Sequence, residues 1–260
     1  MLNISSNTDT EWFFGISFNE SAVTTASANV PLAAQYAAQI LGSHLKGLQI
    51  GNEPDLYVDH QKRPAGWTVQ DYVTEFGHTA DDIIAGAPAV AAVDPIFMGP
   101  SLCCERQGFL LPDVMAAGWL TQHVDTISSI TVQNYPENNC GINGQYTNPQ
   151  DVFYRYLNHT SAEWLTGQYA DVAQAGLEYN KNLVMMEMNT ASCGGFAGLS
   201  DSFGAAMWYV SRLVRDQILI NRAADWALQL GTYNFTTVLM HVGGQNVYYN
   251  VSLHLPPMQH

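Results

Sequence analysis

Positive charge is what this sequence most lacks. Its 260 residues carry 9 Lys+Arg against 23 Asp+Glu, a formal net charge of −14. With no basic run to neutralise phosphates, nucleic acid is excluded as a partner. The same deficit argues against anionic membrane surfaces. Long apolar runs are missing too. The longest, Ala85–Val93, is interrupted by Gly86 and Pro88 and falls well short of the roughly 18–20 residues that span a bilayer. The opening MLNISSNTDT has neither the charged head nor the apolar centre of a signal peptide. Cysteine is sparse: Cys103, Cys104, Cys140 and Cys193 form no C-x-x-C pair and have no His at zinc-ligand spacing. No metal site is therefore expected. The Gly-rich turn Gly194–Gly198 is neither G-x-G-x-x-G nor a P-loop with its Lys, so no nucleotide and no other cofactor is expected.

What is present begins with apolar residues, 47% of the chain, enough for a buried core. Charged residues are 12%, about half the roughly 25% usual for soluble domains, so amide, hydroxyl and aromatic groups make up much of the polar surface. Five N-x-S/T sequons, at Asn3, Asn19, Asn158, Asn234 and Asn250, point to a secreted, extracellular glycoprotein. Secretion without a visible leader is reconciled if this chain is not the complete product.

Short β-rich runs alternate with helical stretches. Strands are expected at Trp12–Phe18, Lys46–Gly51, Ile96–Gly99, Thr126–Gln133, Leu183–Met188 and Thr236–Val242. Helices are expected at Pro31–Leu41, Thr68–Ala85 with Thr68 as cap, Phe109–Trp119, Ser161–Tyr179 with Ser161 as cap, and Ser202–Leu230. Strict β-then-α alternation with near-continuous apolar strands indicates a parallel sheet covered by helices. An open doubly wound sheet and a closed (β/α)8 TIM barrel both satisfy it. The barrel is the better reading because no nucleotide motif supports the open sheet. Eight βα units are required, however, and six are counted.

In such a barrel the active site lies at the C-terminal strand ends. The second strand ends in Gly51-Asn52-Glu53-Pro54-Asp55 and the fifth in Glu187-Met188-Asn189, each a carboxylate terminating an uncharged apolar run. Two carboxyl groups so placed suit glycoside hydrolysis: one protonates the leaving oxygen and the other attacks the anomeric carbon. Asn52 sets an amide beside Glu53 that can bond a substrate hydroxyl.

GNEPDLY (Gly51–Tyr57), QNYP (Gln133–Pro136), EMNTASCGG (Glu187–Gly195) and LMHVGGQNVYYN (Leu239–Asn250) together resemble fungal members of glycoside hydrolase family 79, the β-glucuronidase family. The resemblance covers about Trp12 to Asn250. It implies a retaining hydrolase acting on β-glucuronides. Trp12–Phe18 would be barrel strand 3, Lys46–Asn52 strand 4, Leu183–Glu187 strand 7 and Thr236–Val242 strand 8. It further implies Glu53 as acid/base, Glu187 as nucleophile and Tyr135 as the tyrosine near the nucleophile. The loop at Cys193 and Gly194 would receive the glucuronate carboxylate on backbone N–H groups, and His241 would line the sugar pocket or pack in the core. Cys140 and Cys193 then fall in loops after adjacent strands, where a disulfide is expected, the alternative being free buried thiols. Trp67, Trp119 and Trp164 read as helix-packing residues rather than sugar platforms. The alternatives are a clan relative acting on another sugar, or an inactive carbohydrate-binding remnant.

The chain departs from the family in three places. By that mapping it is expected to start just before strand 3, it ends in VSLHLPPMQH where the family continues into a β-sandwich, and its stretch Ser202–Leu230 is long for one helix. Removing Ser211–Ala224 leaves a helix of ordinary length and takes the net charge to −16, since three Arg and one Asp go with it. The expectation is a partial barrel over 1–250 and a divergent tail over 251–260. Ser211–Ala224 and the tail after Asn250 are read as translated intron or another gene-annotation artefact, the alternative for Ser211–Ala224 being a surface insertion.

Overall fold

Strands form here where the chain is apolar on both faces. Leu45–Ile50 is buried at every position but Lys46, and Phe97–Leu102 at all six, as in parallel strands covered from both sides. A computed structural model describes residues 2–18, 29–93, 95–104, 106–141, 144–202 and 222–242. Its strands are β1 (Trp12–Ile16), β2 (Leu45–Ile50), β3 (Phe97–Leu102), β4 (Ile127–Asn134), β5 (Asn182–Met188) and β6 (Phe235–Met240). They form one sheet in chain order. The β1–β2, β2–β3 and β3–β4 pairs are parallel, with helices in the connections. This is an α/β fold with the arrangement of part of a (β/α)8 barrel. Among the described residues no helix is long and apolar enough to cross a membrane.

The chain divides into two compact units, 1–133 with 171–186 and 134–170 with 187–260. The first is built on an aromatic core. Tyr72, Phe76 and Trp119 are fully buried, Phe76 meets Trp119 edge-on at 5.4 Å and Trp67 stacks on Phe109 at 5.3 Å. Beside them Arg63 is buried over the rings of Phe18, Tyr57 and Trp67. Its charge is met by Glu75, whose Oε2 accepts from Nε at 3.0 Å and Nη2 at 2.8 Å. Removing one partner would strand the other charge in the core. In the second unit Tyr169 packs edge-on against Phe235 at 5.5 Å, and Trp226 and Phe196 are buried.

Several boundaries differ from the sequence reading. β1 ends at Ile16 and β3 runs on to Leu102. Phe109–Trp119 is two short helices, Leu111–Ala116 and Trp119–Gln122, separated where Gly118 takes φ 88°. Ser161–Tyr179 is also two, His159–Gly167 and Ala170–Glu178, and the cap is Asn158, which accepts from the Thr160 N–H, rather than Ser161. Trp164 points outward, 71% exposed, so its helix-packing role is overturned; Trp119 is fully buried as expected. Thr68 does cap Val69–Gly86, in a capping box with Asp71. Residues 211–221 of the suspected insertion and the tail 251–260 lie outside the described residues, as do Asn19, Asn250 and the motif beyond Val242.

Candidate active site

The first unit carries Glu53 on the turn that leaves β2. Gly51, at φ 80°, makes the turn possible: a Cβ there would lie 3.2 Å from both the Phe18 Cβ and the Tyr57 hydroxyl. Glu53 follows in the left-handed region, φ 51° and ψ 56°, which a Glu side chain rarely adopts. The position is held by its own N–H, which donates to the Ser101 carbonyl at 3.1 Å, and by Pro54 beyond it. Asn52 is oriented by two glutamines. Its Oδ1 accepts from Gln133 Nε2 at 2.6 Å and Gln49 Nε2 at 3.3 Å, while its N–H donates to the Tyr57 hydroxyl at 3.1 Å. Both glutamines are buried. With Oδ1 so occupied, the Asn52 Nδ2 group is the end left to donate, and among the described residues nothing accepts from it.

Asp55, two residues on, is completely buried. Its carboxylate accepts from the Cys104 N–H at 2.9 Å and the Cys103 N–H at 3.3 Å, joining the end of β2 to the end of β3. Burial pushes its carboxyl above the ordinary carboxylate range, against the opposing pull of the Cys104 and Cys103 amides and of Arg106. Cys103 and Cys104 are bonded to each other. Glu53 and the two sulfurs sit close enough to suggest three metal donors, but disulfide sulfurs are not the thiolates a zinc-type site needs.

The second unit gathers three of the expected residues. Tyr135, just past β4, donates its hydroxyl to Glu187 Oε2 at 2.9 Å. His241, just past β6, brings Nδ1 to 3.3 Å from the same oxygen. The Tyr135 and His241 rings meet edge-on, 6.3 Å between centres. The His241 backbone is itself tied down, its N–H on the Met188 carbonyl at 2.9 Å and its carbonyl on Asn189 Nδ2 at 2.8 Å. Glu187 therefore has one oxygen fixed, while among the described residues no donor addresses Oε1. Its side chain is 24% exposed and that of His241 is 35%, so His241 is not a core histidine.

Beyond Glu187 the chain turns sharply through Cys193, Gly194 and Gly195, with φ of 56°, 87° and 77°. Cys193 is joined to Cys140, as expected, with Cα atoms 5.1 Å apart. The two loops are also stitched by backbone: Ser192 N–H reaches the Glu137 carbonyl at 3.0 Å, and Asn139 Nδ2 reaches the Gly195 carbonyl at 2.8 Å. Gly195 donates back to Ser192, whereas among the described residues the N–H groups of Cys193 and Gly194 have no acceptor. Sequence reasoning missed Asp55, Gln133 and the Cys103–Cys104 bond. Asp55 and Gln133 lie inside the recognised motifs GNEPDLY and QNYP, whereas Cys103 and Cys104 lie in none.

No family model matches the chain. A β-glucuronidase of Aspergillus niger is 28% identical over 236 residues, covering 85% of this chain and 38% of that protein. The solved structure of a 4-O-α-L-rhamnosyl-β-D-glucuronidase from Fusarium oxysporum aligns with a TM-score of 0.72 at 18% identity, covering 95% of this chain and 47% of that one. A glucosidase from Croceicoccus marinus and a β-xylosidase from Caulobacter crescentus each align at a TM-score of 0.50 and 12% identity. They cover 96% and 89% of this chain and 46% and 44% of their own. Over most of its length the chain is thus a distant β-glucuronidase homologue with a glycoside-hydrolase-like fold. It spans less than half the length of each of these relatives.

Proposed function

We propose that the chain carries the catalytic carboxyl groups of a retaining glycoside hydrolase acting on β-glucuronides, with Glu187 as nucleophile and Glu53 as acid/base. The observation that carries this reading is the setting of Glu187, a strand-end carboxylate with one oxygen held by Tyr135 and His241 and the other addressed by no donor among the described residues. Held this way, Oε1 attacks the anomeric carbon while Glu53 protonates the departing oxygen. Water then releases the sugar with Glu53 acting as base. The Asn52 amide donates to the sugar 2-hydroxyl. Glucuronate is an anion, and this acidic chain has no surplus of cations to receive it. The N–H groups at Cys193 and Gly194, which have no acceptor among the described residues, support backbone recognition of the carboxylate instead. The choice of glucuronide rests on the sequence relative, because the fold is shared with a glucosidase and a xylosidase. Secretion, favoured by the sequons, belongs to the same proposal.

Assay of this chain on an aryl β-D-glucuronide, beside Glu53→Gln and Glu187→Gln, tests the assignment. Each variant should lose at least about 10³-fold in kcat, and a 2-fluoro-glucuronyl fluoride should label the peptide containing Glu187. Variants that match the unaltered chain would refute both roles. Turnover of aryl glucosides or xylosides alone would show a different sugar, and no turnover at all by protein with both disulfides intact a non-catalytic remnant.

A further inference from the structure

The ends of β2 and β3 set a disulfide beside Glu53. The sulfurs of Cys103 and Cys104 and a Glu53 carboxylate oxygen lie within 4.8 Å of one another. Cys104 is exposed and Cys103 half-buried. Asp55 anchors this turn from the buried side by accepting both of its N–H groups, and Arg106 Nη1 braces Asp55 in turn by donating to its carbonyl at 3.1 Å. The two amide donors of the turn are therefore committed inward. A disulfide has no proton to donate, and its sulfurs are weak acceptors. What the two side chains present is sulfur and methylene: polarisable, apolar and without a hydrogen-bonding requirement.

An acid/base carboxyl works at the glycosidic oxygen, so the surface bordering it meets the leaving group. Resting on the role proposed for Glu53, we infer that the Cys103–Cys104 disulfide is a leaving-group platform. It selects glucuronides whose aglycone presents a flat apolar face, an aryl ring or the C–H face of a second sugar. An aglycone with a charged group over the disulfide loses hydration there and is offered no donor by the two sulfurs in return.

The unaltered chain tests this through the reduction rate of each disulfide. Thiols opened by dithiothreitol are alkylated, and the Cys103–Cys104 peptide is quantified by mass spectrometry. p-Nitrophenyl β-D-thioglucuronide, which resists hydrolysis, should slow opening of Cys103–Cys104 about tenfold when present at ten times its Kd. Glucuronic acid, which occupies the sugar position without reaching the leaving-group side, should not slow it. Equal protection by both ligands, or none from the bound thioglucuronide, overturns the platform and leaves the glucuronidase reading intact. Absence of binding by either ligand, measured by calorimetry, overturns the glucuronidase reading and the platform with it. As a second measure, Cys103→Ser/Cys104→Ser should raise KM for p-nitrophenyl β-glucuronide about tenfold more than KM for β-glucuronyl fluoride, which is about 1.4 kcal/mol of leaving-group binding. An equal change for both substrates, as a purely structural cross-link would give, overturns the inference.

Discussion

Tyr135 holds Glu187 through one hydroxyl, and that hydroxyl can be removed with little else. Tyr135→Phe keeps the ring against His241 but deletes the donor. We expect kcat on an aryl β-glucuronide to fall about 10²-fold, the usual cost of losing one positioned donor, with the thermal midpoint little changed. Steady-state kinetics beside a melting curve decides this. Asp55 gives a second reading at this scale. Burial raises its folded pKa above the unfolded value, so the fold favours the protonated form. Its contribution is complete below about pH 4, the ordinary Asp value, and is lost as pH rises through the folded pKa. Asp55→Asn keeps an acceptor for the Cys104 N–H but cannot ionise. Urea midpoints of the variant should therefore fall less than those of the unaltered chain from pH 4 towards neutrality. Parallel slopes would show that Asp55 does not supply the dependence.

At the scale of elements, the helix Val69–Gly86 was readable because its cap and its apolar face coincide: Thr68 and Asp71 satisfy each other's backbone N–H, and Tyr72, Val73, Phe76, Ala80 and Ile83 face inward. Thr68→Ala should cost about 1 kcal/mol in chemical denaturation. Strands β2 and β3 were readable for a similar reason, being buried along nearly their whole length, and so were the carboxylates at the ends of β2 and β5. The break within 161–179 was not read, although Gly167 marks it, because the apolar spacing continues across the break and hides it. Nor does an amphipathic pattern reveal that Trp164 projects outward. The Cys103–Cys104 bond escaped for a different reason, since adjacent cysteines carry no periodicity and their pairing depends on the backbone that Asp55 holds.

For the molecule as a whole, the net charge of −14 acts on any anionic substrate at long range. If glucuronides are the substrates, added salt should screen this repulsion. KM should fall about two- to threefold as ionic strength rises from 10 to 200 mM, across which the Debye length shrinks severalfold. A neutral aryl glycoside inhibitor should show no such trend. A KM that rises with salt would instead reveal a local cationic site. All four cysteines, finally, are paired, and both bonds stabilise the loops that carry the proposed chemistry. The route of manufacture therefore becomes an experimental variable: protein made in a reducing cytosol emerges as a tetrathiol, whereas protein passed through an oxidising compartment emerges cross-linked. An inactive preparation of the first kind says nothing about the second.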